Sequence, residues 1–280
     1  MKNTVFFGAG QFGTMLIRLA GPEINPICFI DNSIDKWGKT LSGVKILSPQ
    51  DGLKRKPDAI VICVLDSERE GQMKKQLQSL GYTGEIIDAI AFKTFDVRFA
   101  TFRLLAEQIE SENVKGDVAE LGVYKGEFAK CINEFFKKRT IHLFDTFEGF
   151  SSADIKTDLD NNFSKAEIGD FSDTSVDAVK SILKYPERAV FYKGFFPNTF
   201  TDCKAEKFAF VSIDADLYEP TAAALSLFFE RLSSGGVLMV HDVNSTQFKG
   251  VKKAVDDFCR DRSLLTFPLC DLHGSVVIRK

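Results

Sequence analysis

The chain of 280 residues carries a formal net charge of −3, and 44% of its residues are hydrophobic. This composition can fill ordinary packed cores and leaves room for two modest domains. The small net charge and the absence of long basic runs argue against a nucleic-acid partner. No segment approaches the ~20 consecutive apolar residues that a membrane helix needs, so we expect no membrane insertion.

The start of the chain and its cysteines favour a cytoplasmic protein. The N-terminus runs directly into a predicted strand, without a basic and apolar cleavable leader. The six cysteines are scattered without CxxC or metal-site spacing, which predicts reduced and mostly buried thiols. The sequence is compatible with a homo-oligomer and leaves the oligomeric state open.

A glycine-rich turn follows the first predicted strand, Asn3–Phe7. The segment Gly8-Ala-Gly10-Gln-Phe-Gly13 has the GxGxxG spacing and opens a helix, and the next strand ends in Asp31. In this setting glycines let the backbone approach a diphosphate, the helix N-terminus offers N–H groups, and the acid accepts from a ribose hydroxyl. A nucleotide site is therefore predicted at Gly8, Gly10, Gly13 and Asp31.

Further strands at Ala59–Val64 and Glu85–Asp88, with a helix around Gln72–Leu80, complete a small Rossmann-like domain of residues 1–92. It holds only one mononucleotide-binding half, which counts against hydride transfer by bound NAD. The insert that follows Asp31 resembles small nucleotide-binding domains attached to sugar-modifying enzymes. That resemblance implies a nucleotide or nucleotide sugar as ligand, and a purely structural unit is the alternative.

An amphipathic helix is predicted over Phe92–Asn113, and we take residues 93–113 as a connecting helix. No proline or glycine linker interrupts it. Residues 114–280 then form the second domain.

The second domain opens with a strand that ends in Glu120. A turn from Gly122 to Gly126 leads into a helix, and the following strand ends in Asp145. Glycines allow the backbone to lie against a ligand, and the two acids can accept from its amine and hydroxyl groups. The combination predicts a cofactor that carries a nucleoside.

Two later strands end in side chains that can bind a metal or accept a proton. One strand ends in Asp214 and Asp216, and the next ends in His241 and Asp242. The apolar residues within 219–234 have a helical spacing, which predicts a helix between the two strands. Parallel strands of one sheet end at the same edge, so we expect these four side chains to converge. The alternative is that the aspartates only cap the helices that follow.

These motifs resemble the TylF/MycF-like (macrocin O-methyltransferase) family of S-adenosylmethionine-dependent sugar O-methyltransferases. The matching segments lie in residues 116–260 and are Glu120–Gly126, Asp145–Gly149, Phe191–Phe200, Ser212–Glu219, Leu232–Val237, His241-Asp242 and Gly250–Phe258. The family's cofactor-binding role would fall on Glu120, Gly122, Gly126, Asp145, Thr146, Phe147, Gly194, Phe195 and Asp214. Its divalent-cation site would fall on Asp214, His241 and Asp242, and its general base on Asp216.

One departure from the family concerns the cation site. Better-known members carry two adjacent aspartates after the later strand, where this chain has His241-Asp242. Mg²⁺ prefers oxygen ligands, so the change leaves Mg²⁺, Mn²⁺ or Zn²⁺ open, and it leaves His241 open as a base.

The resemblance implies an α/β protein with two Rossmann-like doubly wound sheets. The C-terminal sheet would be a class I methyltransferase fold that ends in an antiparallel hairpin formed by Leu264–Leu269 and Ser275–Ile278. The implied activity is O-methylation, with the help of a metal, of a hydroxyl on a sugar, a sugar nucleotide or another small molecule that contains a sugar. An NAD(P)-binding oxidoreductase and a non-catalytic nucleotide-sugar-binding protein are the alternatives.

Three further expectations concern the second domain. The polar segment Phe150–Asp173 is predicted to be a lid or an acceptor-recognition loop. His142 lies in an apolar strand and is predicted to be a satisfied core residue. His273 lies in a turn and is predicted to be exposed to solvent.

Overall fold

A computed structural model describes residues 1–89 and 96–280 of the chain. The described residues form two compact units, which are Met1–Asp96 with Cys270–Leu272, and Val97–Leu269 with His273–Lys280. None of the helices in the described ranges is long and apolar enough to cross a membrane.

The first unit is a six-stranded sheet with three α-helices along the described chain. Its elements are β1 Lys2–Phe7, α1 Gln11–Leu19, β2 Ile24–Ile30, β3 Thr40–Leu41, β4 Val44–Leu47, α2 Pro49–Leu53, β5 Ala59–Ile62, α3 Ser67–Ser79 and β6 Glu85–Asp88. The strand order is β3-β4-β2-β1-β5-β6, and only β3 pairs antiparallel. Chain order reverses at β1, so the turns after β1, β2 and β5 meet at one edge of the sheet.

Burial and capping explain where these elements begin and end. All four residues of β5 are buried, as expected for a central parallel strand. The strand stops at Ile62, two residues before the predicted end, and α3 begins earlier than predicted because Asp66 caps it by accepting from the N–H of Arg69. The short elements β3, β4 and α2 were not predicted, because two to five residues carry too little periodicity.

The second unit is built on a seven-stranded sheet. Its elements are α4 Val97–Ser111, β7 Asp117–Leu121, α5 Glu127–Phe135, β8 Ile141–Asp145, α6 Ser152–Asp160, α7 Val176–Ile182, β9 Ala189–Lys193, β10 Phe208–Ile213, α8 Tyr218–Arg231, β11 Leu232–Val240, α9 Lys249–Arg262, β12 Phe267–Pro268 and β13 Val276–Arg279. The order is β12-β13-β11-β10-β7-β8-β9, and β13 is antiparallel to both neighbours. The predicted α/β class with a terminal antiparallel hairpin is confirmed.

Aromatic packing fills the space between this sheet and its helices. Every residue of β10 is buried, and Phe228 of α8 packs against Phe144, Phe200 and Phe208 with ring centres 5.0–5.7 Å apart. These close edge-to-face contacts stabilise the layer that carries the ends of β8 and β10.

Helix α4 differs from its predicted amphipathic pattern. The part of the prediction at residues 92–95 lies outside the described residues. The buried face carries Phe102, Ala106 and Ile109 and also Arg98, whereas Leu104, predicted on the apolar face, is 67% exposed. Residues at positions 98, 102, 106 and 109 lie on one face of the helix. The side chain of Arg98 therefore points to the same side as the buried apolar residues.

The segment predicted as a loop over Phe150–Asp173 is partly helical. Helix α6 forms because Ser151 and Asp154 make a reciprocal capping box at its start. The capping box supplies hydrogen bonds to N–H groups that the first turn would leave without partners. The helix was not predicted because the segment is polar, and local hydrogen bonds stabilise it instead.

The glycine-rich segment after α8 belongs to the next strand. Strand β11 begins at Leu232, directly after the last residue of α8. Leu232 pairs with Phe208 and Val237 with Phe210, so residues 233–236 form an irregularity within the strand. The strand then runs on in regular pairing to Val240.

Candidate active site

Residues that follow five parallel strands of the second unit meet at one edge of its sheet. Gly122, Asp145, Gly194, Asp214 and His241 come from the ends of β7, β8, β9, β10 and β11, and all line a cleft of about 410 Å³. Chain order reverses between β7 and β10, which is where α/β sheets bind ligands. The cleft volume suits a small organic ligand, for which sites of roughly 300–1,000 Å³ are typical.

The turn after β7 requires glycine at its first position. Gly122 has φ +80°, and a Cβ there would lie 1.8 Å from the backbone oxygen of Asp214. A side chain at this position would push apart the ends of β7 and β10. The loops after β7 and β10 therefore lie too close together for any side chain at position 122.

Asp145 holds the same turn in shape from the neighbouring strand. Its Oδ2 accepts from the backbone N–H groups of Val123 and Tyr124 at 2.8 and 2.9 Å, and its Oδ1 accepts from that of Phe147 at 2.6 Å. The carboxylate still faces the cleft. Asp145 thus shapes the turn and offers a negative charge to a ligand.

The predicted cofactor residues divide into two groups. Those that line the cleft are Gly122, Asp145, Thr146, Gly194, Phe195 and Asp214. Those outside its lining are Glu120, Gly126 and Phe147; Gly126 begins α5 with φ +78°, and Phe147 is buried.

Glu120 lies behind the cleft wall. Its side chain is buried, and Oε2 has no hydrogen-bond partner among the described residues. Burial raises the pKa of Glu120 well above its usual range, although the nearby charge of Arg98 opposes the rise. A buried acceptor without a partner is the kind of group that a ligand amine satisfies.

Asp214, His241 and Asp242 form a tight cluster. Nδ1 of His241 lies 3.0 Å from Oδ1 of Asp214 and 2.9 Å from Oδ2 of Asp242. One possible ligand atom from each residue lies within 4.8 Å of the others, so the three could hold a metal ion. The strand ends therefore converge as the sheet topology predicts.

The charges of this cluster are strongly coupled. Burial by itself would lower the pKa of His241, but the carboxylates of Asp214 and Asp242 raise it to about 10. Burial would raise the pKa of Asp214, but His241 and Arg98 hold it below its usual range. At neutral pH the cluster contains an imidazolium between carboxylates, and an imidazolium cannot accept a proton.

Asp216 lines the cleft beside this cluster. It adopts φ +58°, and Asp242 adopts φ +60°, a left-handed conformation in which aspartate is enriched but which is rare for most side chains. Burial, and then the neighbouring charges of Asp214 and Asp242, raise the pKa of Asp216 well above its usual range. A carboxylate in such surroundings is a stronger base than one in water.

The capping alternative does not describe these aspartates. Helix α8 begins after Leu217, where Asp158 accepts from the N–H of Tyr218, and α9 begins after Phe248, where Ser245 accepts from the N–H of Phe248. Asp214, Asp216 and Asp242 lie before these positions and face the cleft.

Arg98 is a member of the site that the sequence reasoning missed. Its Nη1 lies 2.8 Å from Oδ2 of Asp214, and its Nη2 donates to Oγ of Ser212 at 3.1 Å. The guanidinium carbon lies 4.1 Å from the ring centre of Phe128. An arginine in the apolar stripe of α4 was the only available signal, and nothing local in sequence connects it to β10.

His273 was predicted to be exposed to solvent, and its side chain is 36% exposed, although it also takes part in the site. Its Nδ1 lies 3.2 Å from Oδ1 of Asp242, and it lines the cleft. The turn before β13 returns to the end of β11 because the two strands pair antiparallel. His142 is a satisfied core residue, as expected, between Asp117 and Tyr192 at 2.9 Å from each.

The first unit builds a similar turn at its own sheet edge. Oδ2 of Asp31 accepts from the N–H of Ala9 at 2.8 Å and pairs with Lys36 at 3.0 Å, while Oδ1 accepts from the N–H of Ser33. Although burial opposes it, these partners hold the pKa of Asp31 below its usual range. Asp31, which was predicted to accept from a ribose hydroxyl, therefore already accepts hydrogen bonds from N–H groups of the first unit.

The three glycines of this turn have different roles. A Cβ on Gly8 would lie 3.0 Å from the backbone oxygen of Cys63, and one on Gly13 would lie 2.4 Å from that of Gly8. A Cβ on Gly10 would meet nothing within 4 Å. The fold itself explains Gly8 and Gly13, but it does not explain Gly10.

Comparison with known proteins identifies the second unit. A family model described as macrocin-O-methyltransferase (TylF) matches residues 80–280. The chain belongs to this family. A second model, described as the N-terminal domain of C2185-like proteins, matches residues 1–87.

Individual relatives agree with the family. One relative is an 8-demethyl-8-(2,3-dimethoxy-alpha-L-rhamnosyl)-tetracenomycin-C 4'-O-methyltransferase from Streptomyces olivaceus. The two proteins are 23% identical over 190 residues, and the aligned region covers 64% of this chain and 71% of the relative. The chain is 28% identical over 143 residues to a mycinamicin III 3''-O-methyltransferase from Micromonospora griseorubida, 47% of this chain and 56% of the relative. The structure of the O-methyltransferase NovP matches with a TM-score of 0.52 and 24% identity, over 65% of this chain and 79% of that one.

Membership of the macrocin O-methyltransferase family makes this chain a methyltransferase that uses S-adenosylmethionine, and the sheet of the second unit has the class I methyltransferase fold. The predicted family and fold class are confirmed. The oxidoreductase and non-catalytic alternatives are set aside for this unit.

Proposed function

We propose that the enzyme transfers the methyl group of S-adenosylmethionine to a hydroxyl of a sugar or of a small molecule that contains one. The names of the relatives support a sugar as the acceptor: one acts on a tetracenomycin that bears a rhamnosyl group, and another acts on mycinamicin III. The observation in this chain that supports it most is the convergence of Asp214, Asp216, His241 and Asp242 in one cleft.

The cleft fits the cofactor. The tight turn at Gly122 lets the backbone lie close to the methionine part, and the carboxylate of Asp145 suits the ribose hydroxyls. Gly194 and Phe195 would lie beside the adenine. Oε2 of Glu120, which lacks a hydrogen-bond partner among the described residues, would accept from the methionine amine after a small shift of the wall.

Asp216 is the proposed general base. The acceptor oxygen attacks the methyl carbon, the carbon–sulfur bond breaks, S-adenosylhomocysteine leaves, and the hydroxyl proton passes to Asp216. When no ion is bound, His241 is proposed to be an imidazolium that holds Asp214 and Asp242 in place, and it would release its proton to bind an ion. This role replaces the alternative of His241 as a base, because its carboxylate neighbours favour the protonated ring, and an imidazolium has no lone pair left to accept a proton.

A divalent cation is a further proposal. Asp214, His241 and Asp242 would hold it, because two carboxylates and an imidazole are a common donor set for such ions. The imidazole favours Mn²⁺ over Mg²⁺, and Zn²⁺ also accepts this set. When bound, such an ion would make an acceptor hydroxyl more acidic.

The walls of the cleft suggest which part of the acceptor enters. Phe150, Phe171, Phe195 and Phe248 contribute aromatic surface, and the described lining residues include no lysine or arginine. Aromatic faces suit sugar rings, whereas a diphosphate would call for cationic partners. We therefore propose that an uncharged sugar ring, rather than the diphosphate of a sugar nucleotide, lies in the depth of the cleft.

Labelled S-adenosylmethionine tests the proposed function. The enzyme is incubated with methyl-labelled cofactor and a panel of glycosides, free sugars and nucleotide sugars, and products are searched for a gain of one methyl group by mass spectrometry. Methylation of a sugar hydroxyl by the native enzyme and its loss in Asp216→Asn would support the proposal. Methylation only of acceptors without a sugar would contradict it.

For the first unit we propose a nucleotide or nucleotide sugar as ligand, at the start of α1. The specific observation is Gly10, where a side chain would enter open space beside the helix N-terminus. Close approach of a diphosphate to the backbone explains a glycine there. Calorimetry with NAD and with nucleotide sugars tests this; Gly10→Ala should abolish binding without loss of stability, and equal binding by both proteins would contradict it.

The domain boundaries at residues 1–92, 93–113 and 114–280 remain proposals, as does a homo-oligomeric state. We also propose a cytoplasmic location, since the six cysteines are free and four of them are buried. Limited proteolysis would test the boundaries, and light scattering would test the oligomeric state.

A further inference from the structure

Arg98 reaches the cation cluster from behind the cleft wall. Its Nη1 lies 2.8 Å from Oδ2 of Asp214, and Nη2 donates to Oγ of Ser212 at 3.1 Å. The side chain is 8% exposed, and its guanidinium packs on the ring of Phe128. Three separate contacts therefore fix one positive charge against one oxygen of Asp214.

Both oxygens of Asp214 are engaged. Oδ2 contacts Arg98, and Oδ1 contacts Nδ1 of His241. A cation that takes Asp214 as a ligand must therefore approach a carboxylate that already carries a guanidinium. Arginine keeps its charge at any accessible pH, so it cannot relieve the repulsion by releasing a proton, as a histidine can.

Arg98 adds a permanent positive charge to the cluster. Its guanidinium contacts Asp214, and the carboxylates of Asp214 and Asp242 both contact the imidazole of His241. A neutral residue in place of Arg98 would leave an excess of negative charge beside the same three donor atoms. Such an excess attracts a divalent cation more strongly in a partly buried site than it would in water.

We propose that Arg98 is a positioning residue that competes with a divalent cation for Asp214, and so sets how weakly the Asp214, His241 and Asp242 cluster binds such an ion. This inference rests on the cation site of the proposed function. Arg98 fixes the orientation of Asp214 when no ion is bound, and it must yield Oδ2, or share it, when one is.

Mn²⁺ binding to the full chain tests this inference. The free ion is measured by electron paramagnetic resonance during titration of the native enzyme, Arg98→Gln and Arg98→Lys, each saturated with S-adenosylhomocysteine. We expect Arg98→Gln to bind Mn²⁺ at least about tenfold more tightly, because a positive charge close to the ion is removed. Arg98→Lys keeps the charge and should stay within about threefold of the native enzyme.

Two controls connect the effect to this cluster. Asp214→Asn in the Arg98→Gln background should remove the gained affinity. The affinity for S-adenosylhomocysteine, measured by calorimetry, reports whether each variant keeps its fold. A gain in Mn²⁺ affinity is not what general damage to the site would produce.

Ser212→Ala decides the question should Arg98→Gln fail to fold. It leaves the charge of Arg98 in place and removes the hydrogen bond between Arg98 and Ser212, so Mn²⁺ should bind about two- to threefold more tightly. Native-like or weaker Mn²⁺ binding in Arg98→Gln, or in Ser212→Ala if it alone folds, would overturn the inference. Methyl transfer is measured separately, so failure here leaves the proposed function standing, and loss of methyl transfer leaves this test intact.

Discussion

The two units of this chain carry the same sequence pattern, and it leads to different chemistry. Each has a strand, a glycine turn, a helix and a second strand that ends in an aspartate. Asp31 accepts from the N–H of Ala9 in the first turn, and Asp145 accepts from those of Val123 and Tyr124 in the second. In both units the acid therefore holds its turn in shape.

The difference appears at the next strand of each sheet. In the first unit the acid that follows β5 is Asp66, which is used to cap α3. In the second unit β10 and β11 add Asp214, Asp216, His241 and Asp242, and none of these aspartates caps a helix. The glycine turn by itself thus predicts a nucleotide-type loop, and the acids on the later strands distinguish a reaction site from a binding or structural loop.

The largest expected effect comes from substituting the glycines of the two turns. Gly122→Ala places a Cβ against the backbone of Asp214 at a positive φ, so we expect affinity for S-adenosylhomocysteine to fall by about 100-fold or more. Gly10→Ala meets no atom within 4 Å and should leave the melting temperature of the protein unchanged. Calorimetry and thermal unfolding measure both; equal tolerance of the two substitutions would remove the distinction.

The next effect concerns the acid that only the second unit has. Asp216→Asn keeps the size of the side chain and removes the proposed base, so kcat should fall by about 10²–10⁴-fold while cofactor affinity changes little. Asp66→Asn in the first unit is the matched control and should leave kcat unchanged. An Asp216→Asn enzyme with native kcat would show that the proton is accepted elsewhere.

A smaller effect is expected from the two turn-holding aspartates. Asp145→Asn and Asp31→Asn each replace one acceptor oxygen by an NH₂ group, which donates and cannot accept, and should cost about 1–3 kcal/mol of stability. Only Asp145→Asn should also weaken binding of S-adenosylhomocysteine. Urea unfolding with and without this ligand measures both quantities, and weaker binding in Asp31→Asn would contradict the separation of roles.

The last effect concerns pH and sets the second unit apart again, since all three histidines of the chain lie in it. Burial would lower the pKa of His142, but its hydrogen bond with Asp117 raises it to about 9. A raised folded pKa means that the stabilisation is complete below the unfolded value near 6.5 and is lost as pH rises through 9.

We therefore expect the free energy of unfolding to fall by about 2–3 kcal/mol between pH 6.5 and 9.5 because of His142. Denaturant unfolding at a series of pH values measures the slope. His142→Gln should make the slope smaller, and the slope that remains is expected from His241, whose pKa is also raised. An equal slope in that variant would assign the pH dependence to groups other than His142.

The sequence predicted the second unit well because its signals are strong and local. Long apolar strands that end in Glu120, Asp145, Asp214 and His241, at spacings that fit one parallel sheet, fix both the topology and the edge where these residues meet. The elements that were missed depend on local hydrogen bonds, as in α6 with its capping box, or are very short, as in β3.

Side-chain pairing within the site could not be predicted from the sequence. Arg98 and Asp214 are 116 residues apart, and a single arginine on an otherwise apolar helical stripe gives no indication of its partner. The same is true of His273, which a turn brings back to Asp242. The contacts of His241 with Asp214 and Asp242 raise its pKa, which leaves Asp216 as the proposed base.

We propose that the cofactor lies at the sheet edge of the second unit with its sulfur facing the acidic cluster. A crystal structure of the enzyme with S-adenosylhomocysteine tests this directly. We predict adenosine beside Asp145 and Phe195, and sulfur directed towards Asp214 and Asp216. Adenosine bound away from Asp145, or sulfur directed away from the cluster, would contradict the account.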